Sequence, residues 1–89
     1  MISYDIDIIN KLGMHARAAA KFVTLASQFS SDIKVSREGQ SVDGKSIMGV
    51  LMLAASQGTR LNLSIEGSDQ DAAMEALQNL ISNRFGEDE

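Results

Sequence analysis

The feature that most constrains this chain is a change of hydrophobic period, repeated along its length. "ISYDIDII" sets Ile2, Tyr4, Ile6 and Ile8 two residues apart, the pattern of a half-buried strand with one apolar face. "DIKVSRE" alternates in the same way through Ile33 and Val35, and "RLNLSIE" through Leu61, Leu63 and Ile65. Between these segments the apolar residues fall three and four apart instead. Ala19, Phe22, Val23, Ala26 and Phe29 make one helical stripe, and Ala73, Met74, Leu77, Leu80 and Ile81 make another. Glu38 and Gly39 form a tight connection into a short strand around Val42. Ser46 is a good N-cap for a short apolar helix, "IMGVLMLAAS", whose composition lets it run as far as Gly58. Ser68 is placed to cap the last helix, and "GEDE" reads as a frayed acidic tail.

The order is therefore β-α-β-β-α-β-α. Strands with a single apolar face need cover on that face alone, and helices on one side of an antiparallel sheet supply it. The expected fold is α+β. It is an open-faced two-layer sandwich, a four-stranded antiparallel sheet covered on one face by three helices. With 89 residues, the chain reads as one domain spanning residues 1–89.

Composition removes several classes of function. Eight basic against twelve acidic residues leave a net charge of −4, which argues against non-specific nucleic-acid binding through phosphate neutralisation. There is no cysteine, so no disulfide and no thiolate metal site can form. His15 is the only histidine, so a multi-histidine metal site is excluded as well. No metal and no cofactor is expected. The first ten residues have no basic start and carry Asp5 and Asp7, unlike a signal peptide, and no apolar run reaches membrane-spanning length. The expectation is a soluble, cytoplasmic monomer with neither a membrane nor a nucleic-acid partner.

Two stretches invite a phosphate reading. In "GQSVDGKSIMG", Gly39, Gly44, Lys45 and Ser46 fit the written form of a P-loop. A true P-loop needs a nucleotide-binding parallel sheet and a second apolar strand ending in a magnesium-binding aspartate. Here the strands alternate, "LNLSIE" ends in Glu66, and "QSVD" looks like a hairpin strand. A nucleotide-binding function is rejected on those grounds. In "GMHARAAAKF", His15 stands where a helix begins. Neutral imidazole is a nucleophile at cellular pH. The first amides of a helix attract anions, and Arg17, two residues on, can add charge-assisted hydrogen bonds. The plain alternative is a solvent-facing histidine at a helix start beside a solvated arginine.

"GMHARAAAKFV" together with "GKSIMGVLMLAASQGT" resembles HPr, the histidine-containing phosphocarrier family of the bacterial phosphoenolpyruvate:sugar phosphotransferase system, and its nitrogen-type paralogue NPr nearly as well. The similarity runs over essentially the whole chain, and the family's open-faced sandwich has the element order given above. The resemblance implies that His15 accepts a phosphoryl group on Nδ1 from phosphorylated enzyme I, of the sugar or the nitrogen type, and passes it to enzyme IIA proteins. Arg17 then stabilises the phosphoryl group. Ser46 is implied as a regulatory site for HPr kinase/phosphorylase in bacteria that have that enzyme. Ala16, Ala20, Ile47, Met48, Leu51 and Met52 correspond to the face that docks partners. Burial is the competing reading for Ile47, Val50 and Leu51, so Met48 and Met52 are the stronger contacts. The family's middle helix ends near Leu53 rather than Gly58. Its usual proline after the arginine is here Ala18, which bears on the rigidity of the turn.

A covalent relay intermediate is the leading function. A regulatory binding module acting through phosphorylated Ser46 on a transcription factor or kinase is the alternative. An acyl carrier with its prosthetic arm on Ser46 is a third, opposed by the four alternating strands.

Overall fold

The structure, a computed structural model, describes residues 1–89. The strands are β1 (Ile2–Asp7), β2 (Asp32–Arg37), β3 (Gln40–Asp43) and β4 (Arg60–Glu66). The helices are α1 (Ala16–Ala26), α2 (Ile47–Met52) and α3 (Gln70–Ser82), and a single tight turn, Arg84–Gly86, follows α3. The order and the antiparallel four-stranded sheet are those expected from hydrophobic period. The sheet also excludes the acyl-carrier reading, which requires a helical bundle.

Strand order is β1-β4-β2-β3, so the last strand in the chain lies between the first two. Tyr4 pairs with Leu63, Ile6 with Leu61, and Val35 with Leu63 on the other side. These registers align the apolar faces of three strands. Leu61, Leu63, Ile65, Ile33 and Val35 are buried beneath Ala19, Phe22 and Ala26 of α1 and Ala73, Leu77 and Ile81 of α3 in one cluster. Tyr4 departs from its expected burial: it lies on the inner face by register yet is 55% exposed. β1 is an edge strand, and while Ile2 and Ile6 pack against the core, Tyr4 does not. Glu38 and Gly39 both have positive φ, as a two-residue hairpin between twisted strands requires.

α2 ends at Met52, close to the shorter of the two expected limits. Arg37 terminates it from β2, its guanidinium donating to the carbonyls of Leu53 at 2.8 Å and Ala54 at 3.0 Å. The last helix begins one residue later than expected, with Asp69 rather than Ser68 at its N-cap. The Asp69 carboxylate does not cap its own helix. It accepts from the backbone amides of Ser30 at 2.9 Å and Ser31 at 3.0 Å and from both serine hydroxyls, tying α3 to the α1–β2 loop.

Beyond α3 the backbone turns sharply. Arg84, Phe85 and Gly86 have φ of 55°, 54° and 79°, three left-handed residues in succession. For the two non-glycine residues this costs about 1–2 kcal/mol each. Full burial of the Phe85 ring offsets it, and Lys21 donates to the Phe85 carbonyl at 2.7 Å. The tail that follows is not frayed, contrary to the expectation for "GEDE": it returns along the molecule to the start of α1.

The hydrogen bonds from Ser31 and Ser30 lower the Asp69 pKa from 3.8 to about 2. A folded-state pKa below the unfolded value means stability that is present above pH 3.8 and lost as pH falls towards 2. Asp69→Asn should therefore lower the urea midpoint at neutral pH. The gap from the wild type should close as unfolding is repeated at successively lower pH.

Candidate functional site

The site is built from a loop, a helix start and the chain end. Residues 8–15 descend from β1 and are pinned at several points. Ile8 and the β4 approach exchange two bonds, Ile8 N–H to the Thr59 carbonyl at 2.9 Å and Gly58 N–H to the Ile8 carbonyl at 2.7 Å. Asn10 closes the next turn, its carbonyl accepting from Gly13 N–H at 3.1 Å while its side-chain amide donates to the Gly13 carbonyl at 2.9 Å. Gly13 has φ of 67°, and a Cβ there would stand 2.6 Å from the Ala55 carbonyl oxygen, so only glycine fits. Met14 is buried and donates its N–H to that same carbonyl at 2.8 Å. His15 is thereby delivered to the N-cap of α1 in extended backbone, and its carbonyl accepts the first helical bond, from Ala19.

Ala16, Arg17 and Ala18 occupy the first turn, whose amides lack intrahelical acceptors. Ala18 is fully buried at the third helical position, and alanine, a strong helix former, keeps the helix start intact. Arg17 is exposed and forms no ion pair. It lines a shallow cleft with Lys11, Leu12 and the tail residues Glu87, Asp88 and Glu89.

Glu87 is the residue that sequence reasoning missed. Its Oε2 contacts His15 Nε2, and its Oε1 accepts from the Asn10 side-chain amide at 2.9 Å. The two side chains shield each other, with Glu87 14% and His15 27% exposed. The Asn10 amide, then the His15 ring, hold the Glu87 carboxyl below its ordinary pKa. An acidic tail is visible in the sequence, but no local pattern pairs residue 87 with residue 15.

The helix beside this site exposes apolar surface. Ile47, Met48 and Met52 are exposed, the methionines at 69% and 65%, while Val50 is buried and Leu51 half-buried. Ala16 is exposed and Ala20 half-buried on α1, against which α2 packs. Leu12, absent from the expected set, is also exposed. Ser46 caps α2, its hydroxyl oxygen accepting from Gly49 N–H at 3.1 Å, and it has no hydrogen bond to His15. The P-loop reading fails on geometry. "QSVD" is strand β3, and Lys45 donates its ammonium to the Phe29 carbonyl at 2.8 Å.

Comparison with known proteins finds relatives that match along the whole chain. A family model described as the PTS HPr component phosphorylation site matches residues 2–83. The phosphocarrier protein HPr of Cupriavidus necator is 56% identical over 89 residues, with both chains covered completely. That of Pseudomonas aeruginosa is 56% identical over 90 residues, again with full coverage of both. A crystal structure of HPr-C-His from Thermoanaerobacter tengcongensis superposes with a TM-score of 0.97 at 48% identity, covering 100% of each chain.

Removing the Ser46 hydroxyl leaves a first-turn amide of α2 without its acceptor, at a cost of about 1 kcal/mol. Ser46→Ala should lower the denaturation midpoint accordingly, whereas Ser46→Asp, which retains a capping oxygen, should stay near the wild type.

Proposed function

The chain belongs to the HPr phosphocarrier family of the phosphotransferase system, and from that premise we propose that His15 is its phosphoryl acceptor. The observation that carries the reading is the arrangement at the start of α1. A single imidazole sits at the N-cap with Nε2 engaged by a carboxylate, beside unpaired first-turn amides and the unpaired Arg17 guanidinium. Nδ1 is the ring nitrogen left to attack phosphorus. The amides and Arg17 supply positive potential for the phosphoryl oxygens, as helix starts and guanidinium groups do for anions generally.

In this reading the donor is phosphorylated enzyme I, of the sugar or nitrogen type, and the acceptors are enzyme IIA proteins. The monomer is the working unit, acting in the cytoplasm. The exposed face formed by Ala16, Ala20, Ile47, Met48, Leu51 and Met52 docks these partners in turn. Methionines suit a surface that must fit several proteins, because their side chains are flexible and polarizable. No helix is long and apolar enough to cross a membrane.

Ser46 is the regulatory position in the same reading. A phosphoryl group there adds about −1.5 to −2 of charge to the α2 end of the docking face, opposing approach of an acidic partner.

Incubation with enzyme I and phosphoenolpyruvate should give an acid-labile phosphohistidine in the wild type and none in His15→Ala. A wild-type protein that stays unmodified beside a competent enzyme I would sink the proposal. Arg17→Ala should slow transfer by roughly 10- to 100-fold, the equivalent of one lost hydrogen bond to a charged group. For Ser46→Asp the expectation is slower phosphorylation by enzyme I with unchanged folding. An unaltered rate would remove the coupling between Ser46 and docking.

A further inference from the structure

We propose that Glu87 is a positioning residue for phosphoryl transfer, fixing the hydrogen of His15 on Nε2 and so presenting the Nδ1 lone pair to phosphorus; the inference rests on the phosphocarrier reading above.

An ionised carboxylate only accepts hydrogen bonds. Glu87 Oε1 is occupied by the Asn10 amide, and Oε2 meets His15 Nε2, so that ring nitrogen must carry the hydrogen. A neutral imidazole has one N–H, which leaves Nδ1 as the lone-pair nitrogen. The orientation of Asn10 is equally determined. Its amide nitrogen serves two acceptors, the Gly13 carbonyl and Glu87 Oε1, each at 2.9 Å. One side chain thus locks both the loop that delivers His15 and the carboxylate that orients it.

The chain end is held in place for this contact. Phe85 is sunk in the core, Lys21 binds its carbonyl, and the left-handed turn at Arg84–Gly86 aims the following residues at the loop. Past Glu87, the Glu89 carbonyl accepts from Lys11 N–H at 2.9 Å, and the Lys11 ammonium lies 3.6 Å from the Glu89 carboxylate. Glu87 is therefore fixed on both sides.

The step balances without a further reactant. The Nδ1 lone pair forms the new bond to phosphorus, and the bond from phosphorus to the donor's leaving atom breaks with its electron pair. The Nε2 hydrogen stays where it was. The ring becomes a phosphorylated imidazolium, and its positive charge faces the Glu87 carboxylate. When an acceptor's nucleophile bonds to the phosphorus, the Nδ1–P bond breaks with its electron pair returning to Nδ1, which restores the neutral ring with its hydrogen still on Nε2.

The test uses the full chain. Nitrogen-15 NMR of the imidazole should show one tautomer in the wild type, protonated on Nε2, and a mixture in Glu87→Ala. Phosphorylation by enzyme I and phosphoenolpyruvate should be about 10-fold slower in Glu87→Ala, the size of effect that removing a histidine-orienting partner has elsewhere. Glu87→Gln leaves one accepting oxygen for the two donors of Asn10 and His15, so it should loosen the tautomer as well, with a rate between those of the wild type and Glu87→Ala. Glu75→Ala, which removes an exposed carboxylate from α3, should match the wild type and controls for net charge. A wild-type tautomer and rate in Glu87→Ala would overturn the proposal. So would faster phosphorylation in that variant, which would make the tail a cover over His15. If the wild type accepts no phosphoryl group at all, the phosphocarrier reading fails, while the tautomer comparison still judges the contact.

Discussion

Everything in this molecule depends on burying the inner face of one strand, β4. Leu61, Leu63 and Ile65 are fully buried, and both β1 and β2 pair with β4, so three strands share the cover that α1 and α3 provide. A fully buried aliphatic side chain contributes about 1.5–3 kcal/mol, and three in succession on a central strand fix its register against slippage. The chain reaches β4 last among the strands, so the sheet closes only when the C-terminal third joins the first. The loop carrying His15 is bonded to the approach of that strand through Ala55, Gly58 and Thr59. His15 is positioned by the same closure that forms the core.

Polar side chains then complete what the short elements leave open. In a small domain the helix ends and loops are numerous relative to the core, and their backbone groups need partners. Asp69 serves the amides of Ser30 and Ser31, Arg37 serves the carbonyls ending α2, and Lys45 serves the carbonyl of Phe29. Each bond joins elements distant in the chain. The start of α1 is the contrast. His15 makes no side-chain cap there, and the first-turn amides lack intrahelical acceptors.

The division of surface follows from the same economy of elements. The outer face of the sheet carries Ser3, Asp5, Asn62 and Ser64, bonded to one another across β1 and β4. Besides Met1 and Tyr4 at β1, the large exposed apolar side chains lie on α2, at Ile47, Met48 and Met52, and on the His15 loop, at Ile9 and Leu12. In the phosphocarrier role proposed for this chain, such an adaptable apolar face beside His15 is where partners would dock. Short α2, capped by Ser46 and stopped by Arg37, is the element that provides that face.

The sequence by itself determined the element order, the sheet class, the inner-face residues of β2 and β4, the Ser46 cap and the position of His15 at a helix start. All of these are local properties, set by hydrophobic period, turn residues and caps within a few positions of one another. Tyr4 shows where period stops being enough, because strand order decides whether an inward face is covered, and β1 proved to be an edge. Ser68 and Asp69 show the same for caps: either suits a helix start, and the tertiary demand of two serine amides drew the aspartate into another role. Glu87 was beyond any local reading. An acidic residue in a short tail after the last helix is ordinarily solvated. It reaches His15 because Phe85 is buried, the backbone turns left-handed there and Asn10 waits on the other side. Those conditions come from elements at opposite ends of the chain, and only packing brings them together.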